Sequence, residues 1–359
     1  MGSIAPAPAD QLQPKAISVS LEDLKNGTVS LETLEQAFGP SSLGIIIVSG
    51  LPPQYISLRK RLLSYSSYLA NLPASELSKV EIPRARYNIG WSCGKEKLDN
   101  GHFDTFKGSY YVQPIRNFGL EERARREFGE KIPDMTTPNV WPGEEVLPGF
   151  EGVFRELCEL IVDVAGFVAR SCDRYGVARL GGGYEDGTLE RIVRGSVSTK
   201  ARLLHYFPRP ASDAEKEGDD DWCGTHRDLG ALTGLTSNMY VDEEAHPPYV
   251  KDGMLPDLEE LESHPDPKTG LWIKDRSGKA TQVHIPRDCL AFQTGEALQM
   301  ITRGKFRAVP HFVRGSVGGG KIARNTLAVF TQPNLWEVVD DETGLDFAGL
   351  CGKVFSKTY

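Results

Sequence analysis

Paired cysteines are missing from this sequence. Its six cysteines, 93, 158, 172, 223, 289 and 351, are scattered without a Cys-x-x-Cys or zinc-finger spacing, which excludes a disulfide scaffold and a cysteine zinc site. They read as reduced thiols in a cytoplasmic protein. Long apolar runs are missing too: no stretch approaches the ~18–20 residues that cross a bilayer, and the first residues lack the charged and apolar regions of a secretion signal. Positive charge is not in excess. The net charge of −8 and the lack of a basic stripe leave no electrostatic footprint for nucleic acid or an anionic membrane. No internal repeat and no sustained heptad occurs, so solenoids and coiled coils are excluded.

What remains is an ordinary globular composition, 40% apolar and 25% charged over 359 residues, ample for a buried core. Residues 1–15, rich in Ala and Pro, read as a loose arm. Short helices are predicted over 21–25 and 31–38, a buried strand over 43–49, and a helix over 55–72 in which Leu58, Leu62, Tyr65 and Leu69 share a face. Residues 80–120 mix aromatics, glycines and cations with little period and read as loops. A long helix follows from Phe150 to Tyr175. From Ala201 onward short apolar runs alternate with Gly, Pro and Asp, the texture of a sandwich or barrel, with solvated excursions at 215–221 and 243–268.

The chemistry concentrates in Thr225-His226-Arg227-Asp228, which runs into the apolar stretch 232–241. Alternate strand residues point to one face, so His226 and Asp228 can be aimed at one ion. A third histidine, His311, ends the predicted strand–turn–strand of 295–311. Of the remaining histidines, His246 and His264 lie in polar excursions, His102 in the aromatic loops, His205 beside Tyr206, and His284 before Pro286. Two imidazoles and one carboxylate on one face of an octahedron leave three positions open, the arrangement of Fe(II) oxygenases. An oxo-acid cosubstrate chelating that metal needs a cation for its far carboxylate. Arg324 can make a bidentate pair, and Thr326 shares its strand face and adds a hydroxyl.

Taken in order, Arg202-Leu203-Leu204-His205-Tyr206-Phe207-Pro208, Thr225-His226-Arg227-Asp228, Gly295-Glu296-Ala297-Leu298-Gln299, His311 and Arg324-x-Thr326 resemble the 2-oxoglutarate/Fe(II)-dependent dioxygenases of the isopenicillin-N-synthase-like group. The resemblance implies a mainly β fold with flanking helices, a double-stranded β-helix (jelly roll, cupin-like) over 201–335. Residues 16–200 would be a helical and loop region packing on it and lining the substrate side, and 336–359 a C-terminal tail, all in one structural unit. It further implies Fe(II) held by His226, Asp228 and His311, and 2-oxoglutarate bound by Arg324, Thr326 and Tyr206. O₂ would be the third reactant. The expected reaction attacks a C–H bond of a small molecule, by hydroxylation, desaturation or ring closure, as 2-oxoglutarate becomes succinate and CO₂.

The family's clamp is commonly Arg-x-Ser where this chain has Arg-x-Thr, and the interval between Asp228 and His311 is longer than in typical members. Substrate contacts are expected from Arg86, Tyr87, Trp91 and Tyr110 in the 80–120 loops and from Phe312. With Arg86 and Lys107 nearby, an amino-acid-like or other specialised metabolite is the expected substrate. Two decoys fail on their context. His226-Arg227-Asp228-Leu229 copies a kinase catalytic loop, but Thr233 stands where Asn is needed and no Gly-rich loop accompanies it. Gly315-x-x-x-x-Gly320-Lys321 copies a phosphate loop, but Ile322 replaces its Ser or Thr. A same-fold oxidase without 2-oxoglutarate, a zinc site and a non-catalytic binding module are the rival readings.

Overall fold

Short β-prone runs separated by turn residues become strands, and their alternation decides which side chains meet. The computed structural model describes residues 15–96, 103–208, 223–249, 255–315 and 321–358. The predicted N-terminal arm up to residue 14, His102, the 215–221 excursion and residues 316–320 of the phosphate-loop look-alike lie outside the described residues.

The N-terminal half supplies β1 (Ile17–Ser20), β2 (Ile45–Ser49), β3 (Gly90–Cys93) and β4 (Lys107–Val112). After them come β5 (Lys200–Tyr206), β6 (Cys223–His226), β7 (Leu232–Thr236), β8 (Met239–Asp242) and β9 (Gly270–Lys274). The series ends with β10 (Ala280–Val283), β11 (Leu290–Thr294), β12 (His311–Arg314) and β13 (Ile322–Thr331). A nine-stranded sheet runs β1-β2-β11-β7-β13-β5-β4-β3, with β8 also on β13, and a four-stranded sheet runs β10-β9-β12-β6. Among the described residues β1–β2 is the one parallel pair. The two sheets enclose an apolar cluster of Ile45, Ile47, Ile273, Val283 and Val309 at one end and a cavity at the other. This is a jelly-roll arrangement of two facing sheets, and the larger sheet does not close into a barrel.

The helices cover the outer face of the large sheet. Phe150–Leu180 buries Phe154, Leu157, Ile161, Val164, Val168 and Cys172, spaced by three and four, together with Leu327 and Val329 of β13. Gln54–Ala70 adds Tyr55, Leu62 and Leu69 to the same core. The long helix comes so close to β7 that a Cβ on Gly234 would lie 2.5 Å from Ile161 Cγ2.

Three expectations are corrected. Residues 80–120 contain β3 and β4, and every residue of β4 is buried. Such a strand shows no polar–apolar alternation because both its faces are covered. The run 232–241 is two strands, β7 and β8, which both pair with β13. Residues 295–311 are not strand–turn–strand, since Glu296–Ile301 is helical and β12 pairs with β6 and β9. Among the described residues, no helix is long and apolar enough to cross a membrane.

Replacing Gly234 by Val drives a branched side chain into Ile161 and Phe292, and such overpacking costs about 1–3 kcal/mol. Chemical denaturation should register that loss with an unchanged m-value.

Candidate metal and cosubstrate site

β6 and β12 are antiparallel neighbours, and His226 and His311 are register partners on them. Cross-strand partners on one face approach closely, and the two imidazole centroids are 4.3 Å apart. Asp228 is not on a strand. β6 ends at His226, so strand alternation is not what aligns His226 with Asp228. The chain leaves β6, carries Asp228 inward to 5% exposure and returns as β7. There Thr233 Oγ1 donates to Asp228 Oδ2 at 2.6 Å. That bond leaves Oδ1 facing His226 Nε2 at 3.7 Å and His311 Nε2 at 3.8 Å.

The outer nitrogen of each ring is also engaged. His226 Nδ1 lies 2.8 Å from the Gly224 carbonyl, to which it donates. His311 Nδ1 lies 3.2 Å from the Val309 carbonyl and 2.8 Å from the Gln293 amide. Donation at Nδ1 leaves an Nε2 lone pair pointing inward. One donor atom from each of His226, Asp228 and His311 falls within 4.8 Å of the other two. Two nitrogens and a carboxylate oxygen at that spacing can close on one cation and leave its other face open. The two rings differ in charge: desolvation opposes charging of His226, but an ionised Cys223 and Asp228 outweigh it and raise its pKa, so that ring holds a proton in the absence of a metal, whereas burial pushes His311 down to about 4.

The triad lines a cavity of about 630 Å³, counted to its open mouth, whose wall also carries Arg202, Tyr206, Thr233, Asn238, Arg324 and Thr326. Arg324, Thr326, Ala328 and Phe330 alternate along β13 on the cavity side, while Leu327 and Val329 face the helices. Arg324 is buried. Its Nη2 donates to Asn238 Oδ1 at 2.7 Å, and its guanidinium lies 4.7 Å from the Tyr206 ring centroid. The structure therefore gathers all six residues expected to serve metal and cosubstrate around one space.

The five residues expected to touch substrate are elsewhere, and that expectation is corrected. Trp91 pairs with Tyr110, and Tyr110 with Leu203, on the side of the sheet that faces the helices. Tyr110 packs 5.3 Å from Phe150 and 5.9 Å from Trp141, and Trp91 covers Gly108 so tightly that a Cβ there would lie 2.2 Å from the indole. Phe312 alternates with His311 and stacks on Trp272 away from the cavity. Arg86 and Tyr87 form a left-handed turn before β3, with Lys95 over the Tyr87 ring, and do not line the cavity.

Of their neighbours in phase the sequence reading singled out Lys107 and missed Ser109 and Tyr111; all three share the side of Arg202, Leu204 and Tyr206. Arg202 donates to Ser109 Oγ and to Glu96, which also meets Lys107 at 2.9 Å, and Lys107 meets Asp104 at 3.0 Å. Burial would raise the Glu96 carboxyl, but Arg202 and Lys107 hold it down to about 2. Thr233, Asn238 and Gln293 were also missed: Thr233 on β7 bonds Asp228, Asn238 just after β7 bonds Arg324, and Gln293 on β11 meets His311, three contacts made between strands far apart in sequence.

Solved structures with the same architecture match nearly the whole chain. A 2OG-Fe(II) oxygenase family protein from Caulobacter crescentus is 16% identical, covers 97% of this chain and 100% of its own, and has a TM-score of 0.66. A full-length Neurospora crassa protein solved with alpha-KG and thymine is 17% identical over 99% and 100% of the two chains, with a TM-score of 0.65. A rice dioxygenase for auxin oxidation is 13% identical over 96% of each, with a TM-score of 0.57. This chain has the 2-oxoglutarate/Fe(II) oxygenase fold. The resemblance read from its sequence is borne out at that level. No family model matches. Scopoletin 8-hydroxylase of Arabidopsis thaliana is 24% identical over 145 residues, and a UPF0676 protein of Schizosaccharomyces pombe 29% over 151. Each match spans 40% of this chain and only 31% and 38%, respectively, of those relatives.

Within this oxygenase fold the Thr233 hydroxyl orients the carboxylate of the triad. Thr233→Val should weaken Co(II) binding roughly 10-fold or more by calorimetry, and Thr233→Ser should retain it.

Proposed function

We propose that this protein is an Fe(II)- and 2-oxoglutarate-dependent dioxygenase that oxidises a C–H bond of a small molecule. The observation that carries the reading is the convergence of His226, Asp228 and His311 on the same cavity as the buried Arg324 and Thr326. A buried carboxylate flanked by two inward imidazoles is stabilised by a cation between them, and the donor set suits a redox metal with open positions. Supporting it, a solved structure with this fold was crystallised with alpha-KG and thymine.

Each part of the site has a role in this reading. His226 Nε2, Asp228 Oδ1 and His311 Nε2 hold Fe(II), with the Gly224 and Val309 carbonyls and Thr233 orienting them. Arg324 receives the far carboxylate of 2-oxoglutarate, held in place by Asn238 and the Tyr206 ring, with Thr326 adding a hydroxyl donor. When bound, Fe(II) with 2-oxoglutarate and O₂ supplies the oxidising power, and the cosubstrate leaves as succinate and CO₂. Leu204, Leu235, Leu271, Ile285 and Val313 give the wall around the triad its apolar part, against which a substrate carbon can pack.

Arg202 supports a substrate role on the same wall. Its charge and that of Lys107 are already answered by Glu96 and Asp104. Among the described residues an added free carboxylate finds no surplus cation beside Arg202 and Lys107, so a neutral metabolite that accepts hydrogen bonds fits better than an amino acid. The substrate-independent chelation of 2-oxoglutarate separates this enzyme from the same-fold oxidase and from a non-catalytic module.

Anaerobic titration of the Fe(II)-loaded protein with 2-oxoglutarate should produce a weak visible charge-transfer band. The band should vanish in His311→Ala and need at least about 10-fold more 2-oxoglutarate in Arg324→Ala, since a charge-assisted bidentate pair is lost. No band in the iron-loaded wild type would move the reading to the oxidase. Once a substrate is in hand, Arg202→Met should raise its KM and leave the 2-oxoglutarate affinity unchanged.

A further inference from the structure

The hydrogen bonds around His311 contain a conflict whose resolution assigns a role to Gln293. Gln293 is fully buried on β11. Its side-chain nitrogen lies 2.8 Å from His311 Nδ1, while its Oε1 is buried with no hydrogen-bond partner. The Val309 carbonyl lies 3.2 Å from the same Nδ1 and can only accept. Nδ1 cannot accept from an amide N–H while donating to a carbonyl. Turning the amide over removes the conflict: Oε1 gains a donor, and Nδ1–H is shared between Gln293 and Val309. The proton is then on Nδ1, and the Nε2 lone pair faces Asp228 Oδ1.

Sheet register gives this contact a counterpart. Gln293 is the β11 partner of Thr233 on β7, and Thr233 holds Asp228. Two adjacent positions of the large sheet thus reach across to the carboxylate and to the distal imidazole. From this geometry we infer that Gln293 is a positioning residue, accepting the Nδ1 proton of His311 so that the ring is held in the metal-binding tautomer. The inference rests on the metal reading given above. It concerns a side chain that touches neither cosubstrate nor substrate.

The test has one arm without metal and one with it. In the metal-free wild type, long-range ¹H–¹⁵N correlation spectra of the imidazoles, with His311 assigned by its loss in His311→Ala, should report the Nδ1–H tautomer. An Nε2–H ring would overturn the inference whatever the variants do. With Co(II) as probe, calorimetry should find Gln293→Leu weakened roughly 10–100-fold, the range for loss of an outer partner of a ligating histidine. Gln293→Glu, whose carboxylate still accepts from Nδ1, should bind within a few-fold of wild type, which a packing defect would not allow. Wild-type affinity in Gln293→Leu, or Gln293→Glu as weak as Gln293→Leu, contradicts the assignment. Wild-type affinity in His311→Ala instead sinks the metal reading itself, a distinguishable failure.

Discussion

The site depends on a carboxylate placed where water barely reaches. Asp228 is 5% exposed, and a buried carboxylate costs several kcal/mol unless partners answer it. Thr233 supplies one hydrogen bond to Oδ2, and two imidazole nitrogens stand at 3.7 and 3.8 Å from Oδ1. A proton held on His226, whose pKa Cys223 and Asp228 raise, answers part of that charge, and a cation shared among the three would answer it fully.

Everything else serves that site through strand alternation. On β13 Arg324, Thr326, Ala328 and Phe330 face the cavity, while Leu327 and Val329 between them pack under the helices. On β5 the same division sends Arg202, Leu204 and Tyr206 inward and leaves Leu203 and His205 for the helical side. His205 bonds Asn325 there, and Asn325 bonds Ser67. Packing that stabilises the sheet and chemistry that uses it are therefore interleaved residue by residue. A register slip of one would exchange them.

Much of this was legible from residue types in order. His226, Asp228, His311 and Arg324 carry chemistry that few other residues supply, and the many short strands after position 201 point to a sandwich or barrel, which the family resemblance narrows to a jelly roll. Phase was not legible. Residues of β4 are buried on both faces, so nothing in the polarity of Lys107–Val112 distinguishes Tyr110, which packs among Phe150, Phe154 and Trp141, from Tyr111, which faces the other way. Nor could the sequence reveal that Asp228 reaches the triad from a turn. That depends on the Thr233 contact, formed only once β7 has docked between β11 and β13.

The most direct test of the account is anomalous diffraction from crystals of the Mn(II)-substituted protein grown with 2-oxoglutarate. The account predicts a single peak within about 2.2 Å of His226 Nε2, Asp228 Oδ1 and His311 Nε2, with the far carboxylate of 2-oxoglutarate against Arg324. A peak held by other residues, or a cosubstrate bound away from Arg324, would contradict it.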